Sequence, residues 1–277
     1  MIISVQQAKQ MYDQKEVIFV DCRFDLQNPS IGLQNYEALH LPNAVYFHLE
    51  DDLSGSVKQT GGRHPLPNID QFIETVKSKG ISDQSIVIAY DDHHAFASRF
   101  AWMMKAIGHE EVYILNGGIK AWTDQEYPIS VDATVTTPVA TKQNWRYKHE
   151  LVASQEYVQS QIENEQVALI DSRSYERFIG KVEPIDNKAG HIPSAKHFDW
   201  MNLFIDAEFK STKELQSHFK SLDMYDEVIV YCGSGVTAAP NVIALWEADY
   251  NHVKLYVGSF SDWITNDDNE VITFEDE

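Results

Sequence analysis

Of the two cysteines in these 277 residues, Cys232 has the setting that chemistry would need. The run Tyr231-Cys232-Gly233-Ser234-Gly235-Val236-Thr237 follows the apolar stretch VIVY, and the pattern after it predicts a helix from near Thr237. A cysteine there stands where a strand ends and a helix begins, the end of an open α/β sheet at which ligands bind. A free thiol has a pKa of about 8.5, and only its thiolate is a good nucleophile. Successive N–H groups of a glycine-rich loop can converge on such an anion, and the positive end of the following helix dipole adds to them. Gly233 and Gly235 allow the loop to curl, and Ser234 and Thr237 can add hydroxyl donors. No basic side chain lies within the loop, so the backbone amides are expected to carry most of the stabilisation. The competing reading is a buried, inert cysteine beside a tight turn. Cys22, inside VIFVDCR, reads as a core residue, and the two cysteines lack the spacing of a dithiol redox site.

The elements that would position this loop occur twice. VIFVDCR, HLPNAVYF, IVIAYD and VYILNGGIKAW in the first half are answered, in the same order, by VALIDSR, HIPSAKHF, VIVYCG and VKLYVGSFSDW. Tyr90 and Tyr231 are 141 residues apart, as are Trp122 and Trp263, so this stretch aligns without a gap. Asp21 and Asp171 are 150 apart, and His40 and His191 are 151 apart. The period is too long for a solenoid and implies two copies of one domain. The short β-rich runs suit buried strands. Ala97, Phe100, Ala101 and Met104, like Ala239, Val242, Ile243 and Trp246, fall at the spacing of an amphipathic helix packed on a sheet. The fold class is therefore α/β, with a mostly parallel sheet flanked by helices in each copy. A stretch near Asp132 to Lys148 without clear period reads as the linker, giving domains 1–140 and 141–277. In the first copy the place of Cys232 is taken by Asp91, followed by Asp92, His93 and His94.

Bulk properties exclude several classes. The net charge of -20 favours solubility and repels nucleic acid. No apolar run approaches the ~20 residues that span a bilayer, so no membrane association is expected. The start MIISVQQAKQ lacks the basic and apolar regions of a secretory signal, which makes the cytoplasm the default compartment. Asn266 to Glu277 reads as a solvated acidic tail. With no HxxxH or CxxC pair, and with His93 and His94 expected to point apart on a strand, neither a metal nor a cofactor is expected. A cysteine phosphatase needs an arginine six residues after its nucleophile, and Ala238 stands there.

These residues resemble the tandem-domain rhodanese family over nearly the whole chain. The resemblance rests on HLPNAVYF, GGRHPLP and LNGGIKAW in the first half, and on RFIG, EP, GHIPSA, CGSGVT and VGSFSDW in the second. It implies a rhodanese-like domain in each half, the first non-catalytic and the second catalytic. It also implies a ping-pong sulfur transfer, in which Cys232 becomes a persulfide and passes its outer sulfur to a thiol acceptor such as thioredoxin or glutathione, or to cyanide. Family members that prefer thiosulfate carry Arg and Lys just after the cysteine. The neutral Gly233 and Ser234 here instead resemble the type that uses 3-mercaptopyruvate, with thiosulfate as the alternative donor. Arg177 matches the arginine that holds the donor carboxylate, and Gly233, Gly235, Val236 and Thr237 complete the implied binding loop. Ser234 and His64 match residues that handle protons, and the acidic member falls near Glu50, with Asp51 adjacent. His64 can equally be read as a structural histidine between domains, and Arg177 as a surface salt bridge. Many relatives have an arginine directly after the EP pair, but here the run is Glu183-Pro184-Ile185-Asp186. Arg63 and Arg99 are cations of unplaced position, and Arg173 reads as a brace of the fold. A reading of another class is a non-catalytic sulfur-binding or regulatory module, against which the retained Cys232 argues.

Overall fold

The apolar runs read from the sequence are the central strands of two parallel sheets. The computed structural model describes residues 1–139 and 144–274, and its chain divides into two units. The first comprises Met1–Gly55, Pro67–Lys148 and Asp206–Phe209; the second comprises Ser56–Leu66, His149–Ile205 and Lys210–Glu277. Position 140, where the sequence sets the domain boundary, lies outside the described residues.

The first unit runs β1 (Ile2–Ile3), α1 (Val5–Gln14), β2 (Val17–Asp21), α2 (Ile31–Ala38), β3 (Val45–Tyr46), α3 (Ile69–Ser78), β4 (Ile86–Tyr90), α4 (Ala95–Ala106), β5 (Val112–Leu115) and α5 (Gly118–Asp124). Its sheet has the order β1-β5-β4-β2-β3, with every pair parallel. β2 and β4 pair over five residues, from Val17 with Ile86 to Asp21 with Tyr90. Such strands, covered on both faces, are continuously apolar rather than alternating.

The second unit repeats this with β6 (Val152–Ala153), α6 (Gln155–Gln161), β7 (Val167–Asp171), α7 (Tyr175–Phe178), β8 (Lys196–His197) and β9 (Phe204–Ile205). The chain then gives β10 (Glu208–Phe209) to the first unit. It resumes the second with α8 (Thr212–Phe219), β11 (Glu227–Tyr231), α9 (Ala239–Glu247), β12 (Val253–Tyr256) and α10 (Ser259–Trp263). The sheet order, β6-β12-β11-β7-β8, is that of the first unit, and these pairs are again parallel.

The repeat extends to single hydrogen bonds. Arg23 binds Asp21, and Arg173 binds Asp171, each with its Nη2 2.6 Å from the carboxylate and 2.6 Å from a backbone carbonyl. Arg173 is thus the brace the sequence suggests. Its guanidinium also lies 4.1 Å from the Phe260 ring centroid. The Tyr90 hydroxyl accepts from Leu41 N–H, and that of Tyr231 from Ile192 N–H. Trp122 and Trp263 each donate Nε1–H to a backbone carbonyl at 2.8 Å, of Pro128 and Glu270 respectively.

Four expectations need correction. The helix after Cys232 begins at Ala239 rather than near Thr237, with Pro240 in its first turn. α4 is not amphipathic: of its residues only Lys105 is not buried, the pattern of a helix covered all round. His93 and His94 lie beyond the end of β4, because the chain turns at Asp91 and His94 takes a φ of 69°. The described part of the acidic C-terminal stretch is a packed strap. Its Ile272 exchanges backbone hydrogen bonds with His191, and buried Asn269 donates to the Trp263 carbonyl. The remaining residues, 275–277, lie outside the described set. Cys22 is buried as expected, and burial first, then Asp91 and Asp21, push its thiol pKa well up.

Candidate active site

β11 ends at Tyr231 and delivers Cys232 into the loop before α9. The loop is held from the other side by the turn after β12. Cys232 N–H donates to Ser259 Oγ at 3.1 Å, Phe260 N–H donates to the Cys232 carbonyl at 3.0 Å, and Ser261 N–H donates to the Gly233 carbonyl at 2.9 Å. Ser259 has a φ of 56°, a left-handed conformation uncommon for a residue with a Cβ, and its hydroxyl donates to the Tyr256 carbonyl. Its Oγ lies 4.0 Å from the Cys232 sulfur. Sequence reasoning missed Ser259, although a signal existed: it aligns with Gly118, which has a φ of 59°.

Gly235 N–H donates to the Cys232 sulfur at 3.1 Å. Gly235 has a φ of 74°, and a Cβ there would collide with the Val257 carbonyl, so glycine is required twice over. Cys232 itself is 1% exposed. Val236 is buried and Thr237 half-buried in the turn leading to α9.

The cations come from outside the loop. A Cβ on Gly233 would lie 2.9 Å from Arg63 Nη2 and 3.3 Å from Arg177 Nη2. The ends of two guanidiniums thus lie beside Gly233. The expectation that backbone amides carry most of the positive field is therefore incomplete. Arg99, by contrast, belongs to the first unit and donates to the Leu53 carbonyl.

Arg177 is carried by α7, whose first turn follows Ser174. It is no loose surface ion pair. Its Nε and Nη2 donate to the two oxygens of Glu183 at 3.0 and 2.8 Å, and Nη2 also reaches Asp186 at 3.1 Å. Asp186 uses its other oxygen to accept from Arg63 Nη1. One oxygen of Glu183 also accepts the N–H groups of Ile185 and Asp186, both at 3.0 Å. Burial works to raise the Glu183 pKa, but the Arg177 and amide hydrogen bonds outweigh it and hold the group below the usual range. For Asp186 burial wins and the pKa is raised, against the pull of Arg63.

Arg63 and His64 belong to the short segment Ser56–Leu66, which is part of the second unit. The segment is fixed to the turn after β12: Gly61 N–H donates to Asp262 and Arg63 N–H to Ser261 Oγ. Gly61 and Gly62 both have positive φ, and a Cβ on Gly62 would strike the Gly258 carbonyl. This explains the glycine pair of GGRH. His64 Nδ1 is hydrogen-bonded to Ser234 Oγ at 2.9 Å. The second unit thus brings together Cys232, Gly233, Ser234, Gly235, Val236, Thr237, His64 and Arg177. Glu50 belongs to the first unit, exposed in the turn after β3, and neighbouring Asp51 contacts His48.

The matching loop of the first unit has a different occupant. Asp91 stands where the second copy has Cys232. Its Oδ1 accepts N–H bonds from His93 at 3.1 Å and from His94, and its Oδ2 from Phe96 at 2.8 Å and Ala97 at 3.0 Å. The first copy keeps the anion cradle and fills it with its own carboxylate.

Among the described residues no group of three or more potential ligands could hold a metal ion, and no helix is long and apolar enough to cross a membrane.

Comparison with known proteins agrees with this architecture. The rhodanese-like domain matches twice, over residues 4–125 and 154–266. A probable 3-mercaptopyruvate sulfurtransferase of Pseudomonas aeruginosa is 35% identical over 279 residues, covering 98% of each chain. A putative thiosulfate sulfurtransferase of Mycobacterium tuberculosis is 36% identical, over 89% of this chain and 87% of that one. The solved structure of the 3-mercaptopyruvate enzyme SseA from Escherichia coli superposes with a TM-score of 0.80 at 30% identity, covering 94% of this chain and 98% of that one. Two domain matches and these full-length relatives together show that the chain belongs to the rhodanese family.

Proposed function

We propose that this protein is a sulfurtransferase that takes sulfur from 3-mercaptopyruvate through a persulfide on Cys232. The observation that carries the donor assignment is Arg177, with Arg63 beside it, bordering a loop whose own Gly233 and Ser234 bring no cation for a dianion. The two guanidiniums suit a donor whose anionic end is a carboxylate placed one residue away from the reacting sulfur.

In the first step the Cys232 thiolate attacks the donor thiol sulfur. An S–S bond forms, the C–S bond breaks, and its electron pair leaves as the enolate of pyruvate. The donor's thiol proton moves to the enolate carbon, and the hydrogen-bonded Ser234 and His64 are the groups on hand to pass it. The products are pyruvate and the Cys232 persulfide anion. In the second step an acceptor thiolate attacks the outer sulfur, regenerating the Cys232 thiolate and yielding the acceptor's persulfide. A small or protein thiol, such as glutathione or thioredoxin, can fill that role, and cyanide can take the same outer sulfur as thiocyanate.

Thiosulfate is the second donor to consider, since one relative carries that name. Measuring kcat/KM for both donors separates them. A higher value for 3-mercaptopyruvate is expected, and an advantage for thiosulfate would refute the donor assignment while leaving the persulfide intact. A non-catalytic module would gain no sulfur on Cys232 by mass spectrometry after incubation with either donor.

A further inference from the structure

We propose that the Asp186 carboxylate is a built-in occupant of the donor's carboxylate site, held by Arg63 and Arg177 until the donor displaces it. This rests on the donor reading above and adds two residues to it. Asp186 gives one oxygen to each guanidinium, Oδ1 to Arg63 and Oδ2 to Arg177. That is the arrangement a donor carboxylate would adopt between the same two groups. Both guanidiniums adjoin Gly233, directly after the nucleophile.

The two carboxylates of this cluster are held differently. Glu183 is locked by the Nε and Nη2 of Arg177, by the Nη1 of Arg173 at 3.3 Å and by two backbone amides. The Asp186 carboxylate has the two guanidiniums as its partners, on a stretch, 181–190, that contains neither helix nor strand. Its charge is also poorly supported by its buried surroundings. Asp186 can therefore swing away while Glu183 continues to aim Arg177.

The charge balance sets a specificity. Three guanidiniums, Arg63, Arg173 and Arg177, reach Glu183 and Asp186, and Arg173 also pairs with Asp171, so three cations face three carboxylates and the cluster is neutral before the donor arrives. A monocarboxylate replaces Asp186 one charge for one. A dianion such as thiosulfate leaves an unmatched negative charge, which is unfavourable in a desolvated site. Asp186 thus acts as a selectivity element, and Arg63 supplies the second cation that the run after the EP pair lacks.

The test is calorimetric titration of the full-length protein with pyruvate, a carboxylate that cannot donate sulfur. Because one charged hydrogen bond is lost or released in each case, Asp186→Asn should lower the pyruvate Kd about tenfold and Arg63→Gln should raise it about tenfold. An unchanged or higher Kd in Asp186→Asn would make the residue a brace and overturn the proposal. An unchanged Kd in Arg63→Gln would overturn the role of that cation. Thermal melting checks that each variant folds, and Arg63→Lys, which keeps the charge but loses the fork, should give an intermediate Kd if the glutamine variant does not fold. Sulfur gain on wild-type Cys232 from 3-mercaptopyruvate is scored separately. Failure there refutes the donor reading, whereas a failed pyruvate titration beside normal sulfur gain refutes only the role of Asp186.

Discussion

Asp91 and Cys232 stand at the same point of two copies of one strand, loop and helix, 141 residues apart. The backbone agrees three residues on, where His94 has a φ of 69° and Gly235 a φ of 74°. An aspartate oxygen lies two bonds beyond Cβ, the same number as the outer sulfur of a cysteine persulfide. The first copy therefore holds a fixed carboxylate where the second would carry its transferable sulfur.

Cys232 should react where Cys22 does not. Iodoacetamide followed by peptide mass spectrometry should label Cys232, with pyruvate slowing the reaction, and leave Cys22 unmodified. Cys232→Ser should cut turnover by about 10⁴-fold or more while leaving the melting temperature near that of wild type. Labelling of neither cysteine in the folded protein would end the nucleophile assignment.

The cradle around Asp91 should matter for stability and not for chemistry. Asp91→Ala removes the acceptor of four N–H groups, two of them at the start of α4, so the variant should lose about 3 kcal/mol in urea unfolding. Its kcat with 3-mercaptopyruvate should not change under conditions where it is folded. A loss below about 0.5 kcal/mol would mean that water replaces the carboxylate at no cost.

The hydrogen bond between His64 and Ser234 should appear in kcat rather than in binding. General acid–base groups typically contribute about 10² to 10⁴ in rate, so His64→Ala and Ser234→Ala should each lower kcat within or near that range. The double variant should be little worse than either single one, because the pair acts as a unit. Additive losses would show that the two work independently.

Glu183 makes a prediction about acid. Its pKa in the folded protein is depressed below the ordinary unfolded value of about 4.3. It therefore contributes stability that is fully present above that value and lost as pH falls through the lower, folded one. Glu183→Gln should cost about 2 kcal/mol at pH 7, the scale of a hydrogen bond to a charged group. The gap from wild type should close as unfolding is followed down through the window below pH 4.3. A gap that does not depend on pH would assign the loss to packing.

Much of this was legible in the residues because the repeat carries its own geometry. The gapless alignment from Tyr90–Tyr231 to Trp122–Trp263 located strand end, loop and helix together, and each marker keeps its hydrogen bond in both units. What was hidden depends on contacts distant in sequence. Nothing in the string brings Arg63 beside Gly233, since 170 residues separate them. The sequence shows that Ile185 stands where many relatives have an arginine, but it gives Asp186 no role, because the two partners of Asp186 lie on different segments. The C-terminal strap was misjudged because charge was read without the backbone pairing between Ile272 and His191. α4 looked amphipathic because its spacing shows which residues face the sheet and not what covers the other side.

The excursion of residues 56–66 into the second unit means that the two copies are no longer interchangeable parts. A gene cut between the repeats would yield a C-terminal product with Cys232 but without Arg63 and His64, and an N-terminal product with an orphan strand of chain. Duplication here has become dependence: the copy that has Asp91 in place of the cysteine lends residues to the copy that carries Cys232.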